Sequence, residues 1–349
     1  MATALALATL TPGAALAATS PRLPTPFAGT ALWVGAVQAP QTGQALVAAA
    51  AAAGVRTLYV KAADGDTAEP GFSSALVTEM RAAGASVCAW TFAYLQEPAA
   101  EATAAVAAVR DGAQCLIVDA ESEQPKLYGP AQAFVHALRA ALGAGFPIGL
   151  AAQAEVAQHP KFPYSVFLAA GAFNAFLPLI YWRDFGVSVQ AADAATLGDA
   201  SIYARPLLPV GQLYGSPTPA EVLSFRALAR AYGTPGLSFF DLESAQPEAL
   251  AALTARPPAL ARMTIAAPTL RAGADGDEVV RAQELLNGAG AHLPVGGYFG
   301  SETARTLAAF QARHHLAPNG VLGPATWRAL LRVRPREPSW ARASPDSAQ

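Results

Sequence analysis

Lysine is the scarcest charge in this chain. The 23 basic residues include only three lysines, Lys61, Lys126 and Lys161, and the net charge is −2. So balanced a chain has no basic footprint, and nucleic acid is not an expected partner. Charged residues of both signs make up only 14% of the 349 residues, against 53% hydrophobic. That balance excludes a disordered chain and suits a large packed core. Cysteine is nearly absent. Cys88 and Cys115 lie in apolar runs, too few for a disulfide framework, and no Cys/His spacing fits a zinc site, so neither a metal nor another cofactor is expected. The expected state is two buried strand thiols, with a bridge open to them only if their strands are neighbours. After the N-terminal stretch no run reaches the ~18 apolar residues of a membrane span, so no transmembrane segment is expected in the mature chain. Residues 2–17 are small and apolar and close on Ala15-Leu16-Ala17, an A-x-A pattern without a basic start. They are expected to be a signal peptide over 1–17, the alternative being an alanine-rich disordered leader.

What is present, from residue 31 on, is alternation. Apolar runs at 31–37, 55–60, 86–91, 113–118, 147–151, 176–181, 206–210 and 236–241 read as eight strands, the seventh weakened by Pro206 and Pro209. Helical stretches at 43–53, 72–83, 98–111, 130–142 and 246–254 intervene, several closed by glycine. Unbroken apolar strands suit a parallel sheet buried on both faces. The spacing predicts an α/β fold, a (β/α)₈ barrel over 27–255. An open doubly wound sheet is the runner-up, but the first strand–helix turn, Gln38-Ala-Pro-Gln-Thr-Gly43, carries no phosphate fingerprint.

In such a barrel the working side chains stand at the C-terminal ends of the strands. Those ends offer Lys61, Trp90, Tyr94, Asp119, Glu121, Gln153, Tyr181, Trp182, Gln212 and Asp241. Asp119-Ala-Glu121 is the sharpest pattern. Side chains two apart on a strand point the same way, so both carboxylates can face the mouth. Two close carboxylates cannot both ionise freely, which keeps one protonated near neutrality as an acid for a leaving-group oxygen. Trp90 and Trp182 are candidate sugar platforms with core packing as the alternative. Lys61 is a candidate for a substrate oxygen or for an ion pair with the two acids.

The run Cys115-Leu-Ile-Val-Asp119-Ala-Glu121 resembles the hydrophobic-Asp-x-Glu signature of family 25 lysozymes and the corresponding strand of chitinase-type family 18 glycosidases. Leu58-Tyr-Val-Lys61 resembles strand two of the lysozymes, and Tyr181 stands where chitinase-like enzymes carry a strand-six tyrosine. The resemblance implies Glu121 as general acid, Asp119 as orienter of an acetamide and Tyr181 as its hydrogen-bond donor, with the acetamide carbonyl as nucleophile. It places Lys61, Trp90, Tyr94, Gln153, Trp182, Gln212 and Asp241 along the substrate. Two family features are absent: an Asp at the end of strand one, where Leu32-Trp-Val-Gly-Ala-Val-Gln38 has none, and the Asp-rich run upstream of Asp119. They leave open a binding protein whose barrel has lost its chemistry.

Pro257, Pro258 and Pro268 mark 256–269 as a linker. Three amphipathic helices follow, beginning at Gly276, Ser301 and Pro324, with Ser301 as an expected N-cap. Gly297-Tyr-Phe-Gly300-Ser-Glu-Thr303 is echoed by Gly320-Val-Leu-Gly323-Pro-Ala-Thr326. With Gln283, Phe310, Gln311 and Trp327 at their spacing, residues 270–332 closely resemble the peptidoglycan-binding domain family. The resemblance implies peptidoglycan or a related cell-wall polysaccharide as partner, with Tyr298, Asn319 and Trp327 as candidate contacts, and a secreted or envelope-associated bacterial protein. The polar, proline-containing tail 333–349 is expected to be disordered.

Overall fold

The computed structural model describes residues 24–340 apart from 123 and 125, so the expected signal peptide lies outside the described residues. Eight parallel strands form the barrel: β1 (Gly29–Val34), β2 (Thr57–Asp64), β3 (Ser86–Phe92), β4 (Leu116–Asp119), β5 (Ile148–Gln153), β6 (Ala175–Leu179), β7 (Val210–Gln212) and β8 (Gly236–Phe240). Each pairs with the next, and β1 closes the ring against β8 through Gly29↔Gly236 and against β2 through Ala31↔Thr57. A two-residue strand, Thr67–Ala68, folds back on the end of β2. The prolines of the seventh run act as expected. Neither Pro206 nor Pro209 can donate, and named-strand pairing begins only at Val210.

Period-two alternation divides the core in two. Ala31, Trp33, Tyr59, Cys88, Trp90, Cys115, Ile117, Ala151, Leu177, Leu179 and Val210 fill the barrel interior. The alternate residues, such as Leu32, Val60, Val87, Val118 and Leu150, pack outward on the helices. These are α1 (Gly43–Ala52), α2 (Ser74–Ala82), α3 (Pro98–Arg110), α4 (Tyr128–Leu142), α5 (Tyr164–Phe167), α6 (Val189–Ala200), α7 (Pro219–Tyr232) and α8 (Pro247–Ala251). Their starts are read locally. Thr42, Ser73 and Ser188 cap α1, α2 and α6, and Thr218 and Glu221 form a capping box on α7. The two cysteines sit side by side, Cys88 on β3 and Cys115 immediately before β4, with Cα atoms 4.6 Å apart, and form a disulfide inside the barrel. Neighbouring strands thus decide the choice left open above. The expected free thiols are not found.

The module is three helices, α9 (Asp277–Gly288), α10 (Ser301–Arg313) and α11 (Pro324–Leu330). Gly300, not Ser301, is the N-cap residue of α10. The internal repeat has a structural logic. Oε1 of buried Gln283 accepts from the N–H groups of Gly296 and Gly297 while its Nε2 reaches Tyr298 O and Thr303 Oγ1. Gln311 does the same for Gly320 N, Val321 O and Thr326 Oγ1. Gly297 and Gly320 turn with φ of 75° and 67°, a region that side chains with a Cβ seldom occupy.

The module is docked on the barrel. The β5–β6 crossover holds a 3₁₀ turn (Val156–Gln158) and the one-turn α5 in place of a full helix, and α9 lies over them, every residue from Asp277 to Leu286 buried. Asp277 accepts from Tyr128 Oη (2.6 Å), Tyr203 Oη (2.7 Å), Ser165 N (2.8 Å) and Ser165 Oγ (2.7 Å), residues next to or within three different barrel elements. The segment 256–269 is held too, with Met263 N donating to Ala231 O and Pro268 O accepting from Trp327 Nε1. The tail differs from expectation as far as it is described. Trp340 is buried, 4.5 Å from the Tyr128 ring, and Gln132 bonds to Pro338 O and Trp340 N. One large aromatic at the end of a polar segment supplies the apolar surface that orders it.

Candidate functional site

The mouth is built on an aromatic floor. Trp33 lies 5.5 Å from both Tyr59 and Trp90 and 5.8 Å from Phe240, all edge-on. Trp33 Nε1 donates to Ser238 Oγ and Trp90 Nε1 to Val34 O, so both indoles are satisfied. Trp90 is therefore part of the floor, with Lys61 Nζ 5.3 Å above its ring.

Above that floor stand the carboxylates. Cys115, just before β4, and Ile117 on it face the barrel interior, alternation turns Asp119 the same way, and Glu121 follows close enough for its charge to act on Asp119. Asp119 is buried, and its Oδ1 has no hydrogen-bond partner among the described residues. Burial, and then the Glu121 charge, hold its carboxyl well above the usual range, with Lys61 pulling weakly the other way. Glu121 is half-buried. Gln153 Nε2 donates to its Oε2 at 2.5 Å, leaving the other oxygen for a proton. Burial raises the Glu121 pKa and the Gln153 bond opposes that rise. The Tyr181 hydroxyl is pushed far up, first by burial and next by Asp119, so it stays a donor. Its ring meets Tyr214 edge-on at 5.3 Å.

The remaining candidates divide by geometry. Lys61 pairs with Asp64 Oδ2 at 2.7 Å, not with Asp119 or Glu121, and Tyr94 donates to Asp64 Oδ1 at 2.8 Å. Tyr94 is an exposed aromatic at the rim. Gln212 is fully buried and spent internally, accepting from Arg183 N and donating to Tyr214 O. It ties the loop after β6 to the loop after β7. Trp182 does not join the mouth. One residue beyond Tyr181, it points to the opposite face, is buried against Phe225 of α7 and donates to Glu221. Asp241 caps a turn at Ser244 N. In the module only Tyr298 is exposed as an aromatic, at 62%. Trp327 is wholly buried, and Asn319 Oδ1 is taken by Val321 N and Gln311.

Three residues outside the candidates named above support the site. Asp64 clamps Lys61 and Tyr94. Phe240 backs Tyr181 at 6.3 Å. Glu243 accepts from the N–H of Gly35 and so brings a β8-side carboxylate to the end of β1. The i,i+3 spacing of Lys61 and Asp64 was a usable signal. The Gly35–Glu243 contact spans 208 residues and had none. Among the described residues no group of three His, Cys, Asp or Glu could hold a metal, and no helix is long and apolar enough to cross a membrane.

Fold and site together define a closed (β/α)₈ barrel with a carboxylate pair at its mouth and a helical module on its flank. Comparison with known proteins agrees. Residues 275–330 match the model of the putative peptidoglycan binding domain. The barrel is similar to the Bacillus cereus spore cortex-lytic enzyme SleL, with TM-score 0.52 and 10% identity over 68% of this chain and 76% of that one. It is similar also to a class V chitinase from Pseudomonas fluorescens Pf-5, with TM-score 0.51 and 12% identity over 65% of this chain and 98% of that one. At those identities the likeness is one of fold. The Burkholderia AP3 phage endolysin is 43% identical over 18% of this chain, a match spanning 24% of the endolysin, with TM-score 0.18. No curated protein matches.

Proposed function

We propose that the chain is an exported cell-wall protein that binds peptidoglycan and hydrolyses glycosidic bonds in peptidoglycan or a related N-acetyl-sugar glycan. The observation that carries this is the pair Asp119–Glu121, both raised by burial, with Tyr181 beside Asp119. Glu121, protonated, gives its proton to the leaving glycosidic oxygen as the C1–O bond breaks. The substrate's acetamide carbonyl oxygen attacks C1, held by Asp119 and the Tyr181 hydroxyl. Water then opens the cyclic intermediate and returns a proton to Glu121. The matched module supports wall binding. The buried disulfide suits an oxidising compartment and so supports export.

The test is release of reducing ends and soluble muropeptides from purified sacculi by the full chain and by Glu121→Gln. No release by the unaltered protein removes the hydrolase reading. A second reading, a wall-binding protein with a silent barrel, is favoured by the lack of an Asp in residues 32–38 at the end of β1. Retention on sacculi without release by either form would establish it.

A further inference from the structure

Of the three lysines of this chain, Lys61 lies in the C-terminal half of β2, and Lys126 and Lys161 lie in the segments that follow β4 and β5. Lys126 and Lys161 share a further feature. With Pro160 and Tyr128 they form one wall of a groove of about 260 Å³ whose other wall is the module, chiefly Asp275 and Tyr298. Both lysines are exposed, and Lys126 sits at φ 68°, a conformation a lysine seldom takes.

The two walls are in direct contact. Asp277 N donates to Pro160 O at 3.0 Å, and a Cβ on Gly276 would stand 2.6 Å from Pro160 Cβ, so only glycine lets the two surfaces meet this closely. The chain also keeps the groove close to the candidate active site. Glu121 and Lys126 share one loop, and a chain of that length spans at most about 17 Å. Gln153, which holds Glu121, leads into the segment carrying Pro160 and Lys161.

We propose that this seam is the binding site for the stem peptide of a peptidoglycan strand whose sugars occupy the barrel mouth. The inference rests on the wall-glycan reading above. The chemistry is complementary. A stem peptide carries carboxylates, which Lys126 and Lys161 receive, and a free amine, which Asp275 receives. Tyr298 offers its ring to the aliphatic part of the peptide or to the attached sugar. Barrel and module then read one polymer together, and bare glycans such as chitin lack half of the recognised surface.

The experiment is co-sedimentation of the full chain, carrying Glu121→Gln to prevent cleavage, with sacculi free of teichoic acid. The sacculi are used intact or after an amidase has removed the stem peptides. Lys126→Gln with Lys161→Gln is expected to weaken binding to intact sacculi roughly tenfold, with binding to stripped sacculi and the melting temperature unchanged. The Lys→Arg pair restores binding, and Tyr298→Ala weakens it on intact sacculi. Equal affinity of the Gln pair and its parent on intact sacculi overturns the proposal and leaves wall binding standing. An equal loss on both polymers overturns it too, since the lysines would then serve the glycan or the fold. Failure of the parent to sediment with either polymer removes both readings.

Discussion

The Gln153 side-chain amide donates to Oε2 of Glu121 at 2.5 Å, across neighbouring strands and 32 positions of sequence. It orients the carboxyl and favours its charged form, against a burial that favours the neutral one. Losing the acid altogether is expected to lower muropeptide release by 10²–10⁴-fold, about the range for general acid catalysis. Glu121→Gln tests this. The variant should keep its melting temperature and its retention on sacculi, and a variant of near-normal activity would place the acid elsewhere.

The amide also sets where activity ends on the alkaline side. A general acid works while protonated, so activity falls as pH rises through the Glu121 pKa. Gln153 stabilises the carboxylate, and Gln153→Leu therefore raises that pKa further. The alkaline limb of the kcat/KM profile should move to higher pH even as the maximum drops. A limb that stays put or moves to lower pH contradicts the assignment.

Glu278 gives a separate pH signature, in stability. Burial first, then Asp199 and Asp277, push its carboxyl up to about 8. A raised carboxyl binds its proton more tightly in the folded state. Its contribution is therefore complete below the ordinary glutamate range and is lost as pH rises toward about 8. Glu278→Gln is expected to leave the melting temperature near that of the parent at pH 4 and to raise it at pH 9 by at least about 2 °C. Calorimetry at the two pH values decides.

Asp277 is expected to be the costliest residue of the module to remove. It is wholly buried and takes four hydrogen bonds from the barrel. Asp277→Ala leaves those donors unsatisfied and should destabilise the chain by roughly 3 kcal/mol or more. Limited proteolysis within 256–269 should accelerate. A barrel cut at residue 255 should aggregate, because α9 no longer covers α5. A soluble, active truncate would refute that role for the module.

The disulfide closes a separation of 27 residues. Cys88→Ala with Cys115→Ala should cost about 3 kcal/mol through the unfolded chain's regained freedom. Thiol titration of the unreduced, denatured protein should find no free sulfhydryl from either residue.

Much of this was legible in the residues themselves. Eight apolar runs, glycine stops and the doubled Gly-x-x-Gly-x-x-Thr pattern are local signals, because strand and helix periods act over a few residues. The Asp119–Glu121 pair was legible for the same reason, since its shared face follows from spacing alone. Spacing also held an unused warning: Tyr181 and Trp182 are adjacent and cannot both face the mouth. The rest depended on closure of the barrel and on docking. Cys88 meets Cys115 only because β3 and β4 are neighbours. Gln153 reaches Glu121, and Glu243 reaches Gly35, only across the ring. Asp277 reads in sequence as an ordinary acid at a helix start. It became an anchor because a one-turn α5 left a gap that α9 covers. Local periodicity thus determined which elements form and which faces they bury. Tertiary structure alone decided which polar groups meet, because those partners lie far apart along the chain.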